Sequence, residues 1–193
     1  MKCTNCKLCE EATKQCMPSG SDYPSIYFVG EAPGKEEDEA GVPFIGRSGK
    51  LLRKTLEELQ IEDRLVRIFN IVRCIPRNGS GVRAPSNEEK LACYQYLYAD
   101  IYKTKPSVIV PLGNSSASFI LANNGYLGIS KSRGQTYKVE FSYNWIGSTL
   151  SHSAIVVPTY HPSYLLRNGC KDSLMQLFKS DIMTAYKEAD VPF

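Results

Sequence analysis

Ser25-Ile-Tyr-Phe-Val-Gly30-Glu-Ala-Pro-Gly34 decides the fold. A short run of apolar, strand-favouring residues goes directly into a Gly/Pro turn, the pattern of a buried strand that delivers a loop at its carboxyl end. Three further runs read the same way: Val66-Arg-Ile-Phe-Asn-Ile-Val72, Ser107-Val-Ile-Val-Pro-Leu112 and Ala154-Ile-Val-Val-Pro-Thr159. They are largely apolar rather than alternating, so both faces of the sheet they form are expected to be covered. Helical periodicity fills the intervals. Gly49 to Leu59 carries apolar residues at Leu51, Leu52, Leu56 and Leu59, and Ser86-Asn-Glu-Glu89 opens a second helix with a capping-box pattern. A third helix is expected from about Ser115 to Ala122 and a fourth from Ser173 to Tyr186. Strands alternating with helices predict an α/β protein: one domain over residues 1–193, a three-layer α/β/α sandwich around a central, mostly parallel four-stranded sheet. A cysteine-rich segment, residues 1–24, precedes the first strand.

The composition agrees with a packed core and excludes several classes. Of 193 residues, 42% are apolar and 22% charged, which argues against disorder and fibrous repeats. Every apolar run is far shorter than a bilayer span, and Met1-Lys-Cys does not open a signal peptide, so a cytoplasmic or nucleoid-associated protein is expected, neither secreted nor membrane-bound. Seven cysteines in a reducing compartment point to metal binding or burial rather than disulfides. The net charge of +3 is unevenly placed: residues 1–40 carry 4 basic and 8 acidic side chains, the remainder 19 basic and 12 acidic. A basic body of this kind permits a nucleic-acid face without demanding one.

Chemistry-bearing residues gather at the carboxyl ends of the expected strands, where α/β folds place their sites. Strand one ends in Gly30-Glu31-Ala32-Pro33-Gly34, strand two holds Asn70 and leads to Cys74, strand three ends at Leu112-Gly113, and strand four leads to His161-Pro-Ser-Tyr-Leu-Leu-Arg167. Gly41-Val-Pro-Phe-Ile-Gly46-Arg-Ser48 nearly spells a phosphate-binding loop, but it lies well beyond its strand and contains Pro43 and Phe44, so it reads as a decoy. Phe44 there suits a stacking face. His161 is fixed by the extended geometry that Pro162 imposes, whereas His152 reads as a surface residue. Cys3-x-x-Cys6-x-x-Cys9, with Cys16, Cys74, Cys93 and Cys170 further on, has the spacing of a metal or cluster site, and spacing alone leaves zinc and iron–sulfur equal.

Taken in order, Gly30-Glu-Ala-Pro-Gly34 with Glu37-Asp38, Pro43-Phe-Ile-Gly46, Asn70-Ile-Val-Arg-Cys74, Leu112-Gly113 and His161-Pro-Ser-Tyr-Leu-Leu-Arg-Asn168 resemble the family 4 uracil-DNA glycosylases over nearly the whole chain. The resemblance implies a DNA-repair hydrolase that flips uracil out of DNA and cuts its N-glycosidic bond, leaving an abasic site. It implies Glu31, Asn70 and His161 as catalytic residues, with Gly30, Ala32, Pro33, Gly34, Phe44 and Asn70 around the base. Ser48, Ser163, Leu165, Leu166 and Arg167 would meet the DNA, one leucine wedged into the stack. It also implies a four-iron–four-sulfur cluster, ahead of zinc, on Cys3, Cys6, Cys74 and Cys93. Uracil-containing DNA, single- or double-stranded, is the implied partner of a monomer, with replication or repair proteins as further partners. The competing reading is a catalytically weak, glycosylase-like DNA-binding subunit of a replication complex. Asn78-Gly-Ser-Gly81 lengthens the loop between Cys74 and Cys93 relative to the family, and the loop holds no histidine. Covalent capture of uracil, the habit of a related branch with a histidine there, is therefore not expected.

Overall fold

The computed structural model describes residues 3–145 and 147–190. In chain order the elements are α1 (Leu8–Glu11), β1 (Ser19–Gly20), β2 (Ile26–Gly30), α2 (Lys35–Ala40), α3 (Arg47–Glu58), β3 (Val66–Asn70), β4 (Arg77–Asn78), β5 (Gly81–Val82), α4 (Asn87–Thr104), β6 (Val108–Pro111), α5 (Gly113–Ile120), α6 (Ile129–Ser132), β7 (Tyr137–Trp145), β8 (Ser148–Val156), α7 (Pro162–Arg167) and α8 (Asp172–Glu188). The main sheet has the order β1-β3-β2-β6-β8-β7, and β4 and β5 form a separate two-stranded ribbon. Strands β3, β2, β6 and β8 run parallel, the four expected from sequence.

The sheet has six strands rather than four. Short β1 pairs antiparallel with β3 at one edge, and β7 pairs antiparallel with β8 at the other. The fourth expected strand is the end of a longer one, and β7, its hairpin partner, was not among the expected strands. Its pattern is nonetheless the clearest alternation in the chain, with Val139 and Phe141 buried and Lys138, Glu140 and Ser142 exposed. A one-sided edge strand alternates where a central parallel strand does not, and the two patterns call for different templates.

Successive residues of β2 point into two cores. Tyr27 and Val29 join Phe69, Ile109, Leu97 and Ile101 on the face covered by α4. Ile26 and Phe28 join Ile68, Val110, Leu52, Leu56, Phe178 and Ile182 on the face covered by α3 and α8. This is the three-layer sandwich. The α4 capping box forms as expected, with Ser86 Oγ accepting from Glu89 N–H and the Glu89 carboxylate accepting from Ser86 N–H. His152 is not a free surface residue. It sits half-buried on β8, and its Nε2 lies 2.7 Å from the Pro106 carbonyl oxygen.

Candidate active site

The parallel register of β2 and β3 sets Gly30 beside Asn70 at their carboxyl ends. Gly30 is required there: a Cβ would lie 2.3 Å from Asn70 Oδ1 and 2.4 Å from Phe44 Cε2, so the missing side chain lets the amide and the ring close on one point. Asn70 is 1% exposed, and among the described residues neither its Nδ2 nor its Oδ1 has a hydrogen-bond partner. Leaving both ends of a buried amide unpaired costs about 1–3 kcal/mol for each group, an expense that a ligand's own amide edge would offset.

Phe44 belongs both to the core and to the cleft. It is 5% exposed and packs into the core beneath α3, while its ring also lines the cleft. Its backbone has φ 56°, a left-handed conformation that is unusual for a bulky residue and marks a position held by its surroundings. Gly49 leaves room for it, since a Cβ there would lie 1.7 Å from the Phe44 carbonyl oxygen. The Glu37 carboxylate ties the neighbouring loops together, accepting from Gly34 N–H (3.1 Å) through one oxygen and from Gly46 N–H (2.9 Å) through the other.

His161 caps α7 and faces Phe44, their rings 5.9 Å apart. Its Nδ1 accepts from Ser163 N–H at 3.0 Å, which puts the imidazole proton on Nε2. Ser163 Oγ donates to the same nitrogen at 2.8 Å and accepts from Arg167 Nη1 at 3.1 Å. Burial, and then the Arg167 charge, lower the imidazole pKa to about 4, so the ring is neutral at neutral pH. Behind it, Gly113 N–H donates to the Thr159 carbonyl, and Thr159 Oγ1 donates to Asp181, which Arg133 also engages through two nitrogens. Gly113 has φ +84°, and a Cβ there would lie 2.8 Å from His161 Cβ.

Glu31, Ala32, Pro33, Gly34, Phe44, Ser48, Asn70, His161, Ser163 and Arg167 thus line one cleft of about 490 Å³, a size suited to a small ring with room for its attachment. Val82 and Arg83 from the β5 edge of the long loop line it too, which sequence reasoning had not anticipated. Ser48, Ser163, Leu166 and Arg167 also border an adjoining depression with Arg47. Leu165 does not belong there. It is 0% exposed and packs in the core, so of the two leucines expected at DNA only Leu166 is placed to reach it. On a helix, adjacent residues point about 100° apart, and one of a Leu-Leu pair commonly turns inward.

The cysteines occupy a separate region beside α4. Cys3, Cys6, Cys9, Cys74 and Cys93 line one small void with Arg73 and Asn5. As placed, they do not form a metal centre: among the described residues no group of three or more His, Cys, Asp or Glu could hold a metal ion, and the void is about 10 Å³, room for one water. Burial, with Cys93 and Cys6 nearby, pushes the Cys74 thiol up to about 12. Cys16 lies elsewhere, fully buried, donating from Sγ to the Glu37 carbonyl. The donor chemistry of Cys3, Cys6, Cys74 and Cys93 fits a thiophilic centre, and the buried guanidinium of Arg73 beside them fits an anionic one.

The doubly covered parallel sheet thus presents an unpaired amide, an aromatic face and a fixed neutral imidazole at its carboxyl edge, a set of groups suited to a flat ring with an amide edge. In agreement, residues 17–183 match the uracil DNA glycosylase superfamily. The chain is 40% identical to a type-4 uracil-DNA glycosylase of Thermotoga maritima over 95% of its own length and 88% of that protein. It is 38% identical to a type-4 uracil-DNA glycosylase of Sulfurisphaera tokodaii (87% and 73% covered) and 37% identical to one of Saccharolobus solfataricus (86% and 74%). The chain belongs to the type-4 uracil-DNA glycosylase family.

Proposed function

We propose that this protein excises uracil from DNA by hydrolysing the N-glycosidic bond of a flipped-out nucleotide, and that the cleft at the ends of β2, β3 and β8 is where it does so. The observation that carries the reading is the unpaired amide of Asn70, set beneath Phe44 and facing the same cleft as His161. An amide offers a donor and an acceptor side by side. Uracil's imide edge satisfies both, whereas cytosine presents an amino group and a bare ring nitrogen where uracil presents a carbonyl and an N–H. Phe44 supplies the face on which the flipped ring stacks.

Bond breaking places negative charge on the departing base and positive charge on the sugar. His161 is neutral with its proton on Nε2, so it acts by donating a hydrogen bond to the uracil anion rather than by surrendering a proton. Ser163 and Arg167 keep that tautomer. Glu31, half-buried at the cleft wall, faces the sugar side, where a carboxylate opposes the sugar cation and positions water. Leu166 enters the stack, and Arg47, Ser48 and Arg167 meet the flanking phosphates.

Cys3, Cys6, Cys74 and Cys93 would hold a four-iron–four-sulfur cluster. Bound there, it supplies cross-linking rather than electron transfer, since base hydrolysis moves no electrons. Because the four thiols come from the first residues, the loop after β3 and α4, holding one centre would couple its loading to folding. The testing experiment is incubation with matched oligonucleotides carrying uracil, thymine or cytosine at one position, followed by alkali, which cuts at abasic sites. Cleavage of the uracil strand alone is expected. Binding without cleavage would favour the DNA-binding subunit instead.

A further inference from the structure

Arg73 is a buried cation with no anion to balance it. Its residue is 7% exposed, and among the described residues it forms no ion pair with a carboxylate. Among the described residues its Nε has no hydrogen-bond partner, Nη1 donates to the Met17 thioether at 3.6 Å, and its remaining side-chain partners are the thiols of Cys3 and Cys93. The other well-buried arginine, Arg67 on β3, is handled in the ordinary way, with two hydrogen bonds to Asp100 and further ones to backbone carbonyls. A guanidinium taken out of water with only a thioether and thiols for partners is strongly unfavourable, so its retention points to negative charge that develops at those sulfurs.

The surroundings indicate which anion. Arg73 precedes Cys74 and lines the void shared by Cys3, Cys6 and Cys93. Its Cζ lies 3.5 Å from the centroid of the Tyr96 ring, so the guanidinium is clamped against an aromatic face and cannot swing out to solvent without losing that contact. The Tyr96 hydroxyl donates to Cys3 Sγ at 3.1 Å and accepts from Asn5 Nδ2 at 3.3 Å. Ring, hydroxyl and guanidinium together form a wall of positive and hydrogen-donating groups along one side of the thiols.

We propose that Arg73, clamped by Tyr96, is the resident counter-cation of the iron–sulfur centre, raising its reduction potential and so protecting it from oxidative loss. The proposal rests on the cluster reading given above. Four thiolates around such a core leave a net negative charge, and removing an electron makes that charge smaller. A fixed cation favours the more negative state, so it holds the electron in and opposes oxidation.

The test uses the full-length protein purified without oxygen, as wild type and as Arg73→Met, Arg73→Lys, Tyr96→Leu and Tyr96→Phe. Iron and sulfide per chain are measured first, then the midpoint potential by film voltammetry and the bleaching rate with ferricyanide. In the bleaching step one electron leaves the cluster and ferricyanide is reduced to ferrocyanide. Arg73→Met, with iron content retained, should show a more negative potential and bleach severalfold faster, while Arg73→Lys should stay near wild type. If Arg73→Met does not accumulate as folded protein, Tyr96→Leu decides when compared with Tyr96→Phe, because both lose the hydroxyl's bond to Cys3 and only Tyr96→Leu removes the clamp. Relative to Tyr96→Phe, the potential of Tyr96→Leu should move in the same direction by less. An iron-loaded Arg73→Met with wild-type potential and bleaching rate, or failing that an iron-loaded Tyr96→Leu with those of Tyr96→Phe, would overturn the proposal. Wild-type protein without iron would instead refute the cluster reading on which it stands.

Discussion

At the residue scale, the site is built around groups whose oddities a ligand would resolve. The unpaired amide of Asn70 predicts a conflict between stability and function. Asn70→Leu, similar in volume and without polar atoms, should raise the unfolding free energy by about 1–3 kcal/mol while abolishing measurable uracil excision; denaturant melts and single-turnover assays on one preparation check both. His161 makes a prediction in pH. Its imidazole titrates at about 4 when folded and at the ordinary 6.5 when unfolded. Below 6.5 the unfolded chain takes up a proton that the folded one refuses until about 4, so stability present above 6.5 is lost as pH falls through that window. Urea denaturation of wild type and His161→Gln should therefore diverge on acidification, with the wild type losing more, and equal pH slopes would contradict the assignment. Gly30, Glu31, Asn70 and His161 were legible in sequence because strand ends are where such residues gather. The roles of Glu37 and Gly49 were not, since a brace between two loops and a glycine under a phenylalanine depend on contacts between separate segments.

At the scale of elements, α7 separates structure from recognition within four residues. Leu165→Ala should cost about 2–5 kcal/mol of stability, as expected for a fully buried leucine, whereas Leu166→Ala should leave stability nearly unchanged and weaken binding to uracil-containing duplex. Chemical denaturation and fluorescence anisotropy distinguish them. Reversal of the two phenotypes would show that α7 is turned the other way. The family resemblance implies a leucine of this helix at DNA but not which one, because that depends on the rotation of α7 against α3. The edge hairpin illustrates the converse: β7 alternates plainly, yet a search for continuous apolar strands passes over it. Arg167 carries a different prediction. Arg167→Ala should weaken all uracil-containing oligonucleotides alike and make the dependence of affinity on salt shallower.

For the whole molecule, two of the ties between the cysteine-rich first residues and the rest of the chain bear on stability. One is the proposed cluster. The other needs no metal: buried Asp38 accepts from Thr13 N–H and from Arg77, whose guanidinium also donates to the Glu11 carbonyl. The three-layer architecture was legible from four apolar runs and their intervening helices, whereas this second anchor was not, since it joins residues far apart in sequence. Cys74→Ser or Cys93→Ser should bleach the protein and lower its melting temperature, while Cys170→Ser should do neither, with about four irons per chain in the wild type. The central claim is that the cleft of Asn70, Phe44, Glu31 and His161 is a uracil-excising site, and single-turnover excision from a uracil-containing oligonucleotide by wild type, His161→Ala and Glu31→Gln tests it most directly. His161→Ala should be slower by about two to three orders of magnitude at nearly unchanged affinity, with Glu31→Gln also impaired. Excision at wild-type rates in both variants would contradict the account.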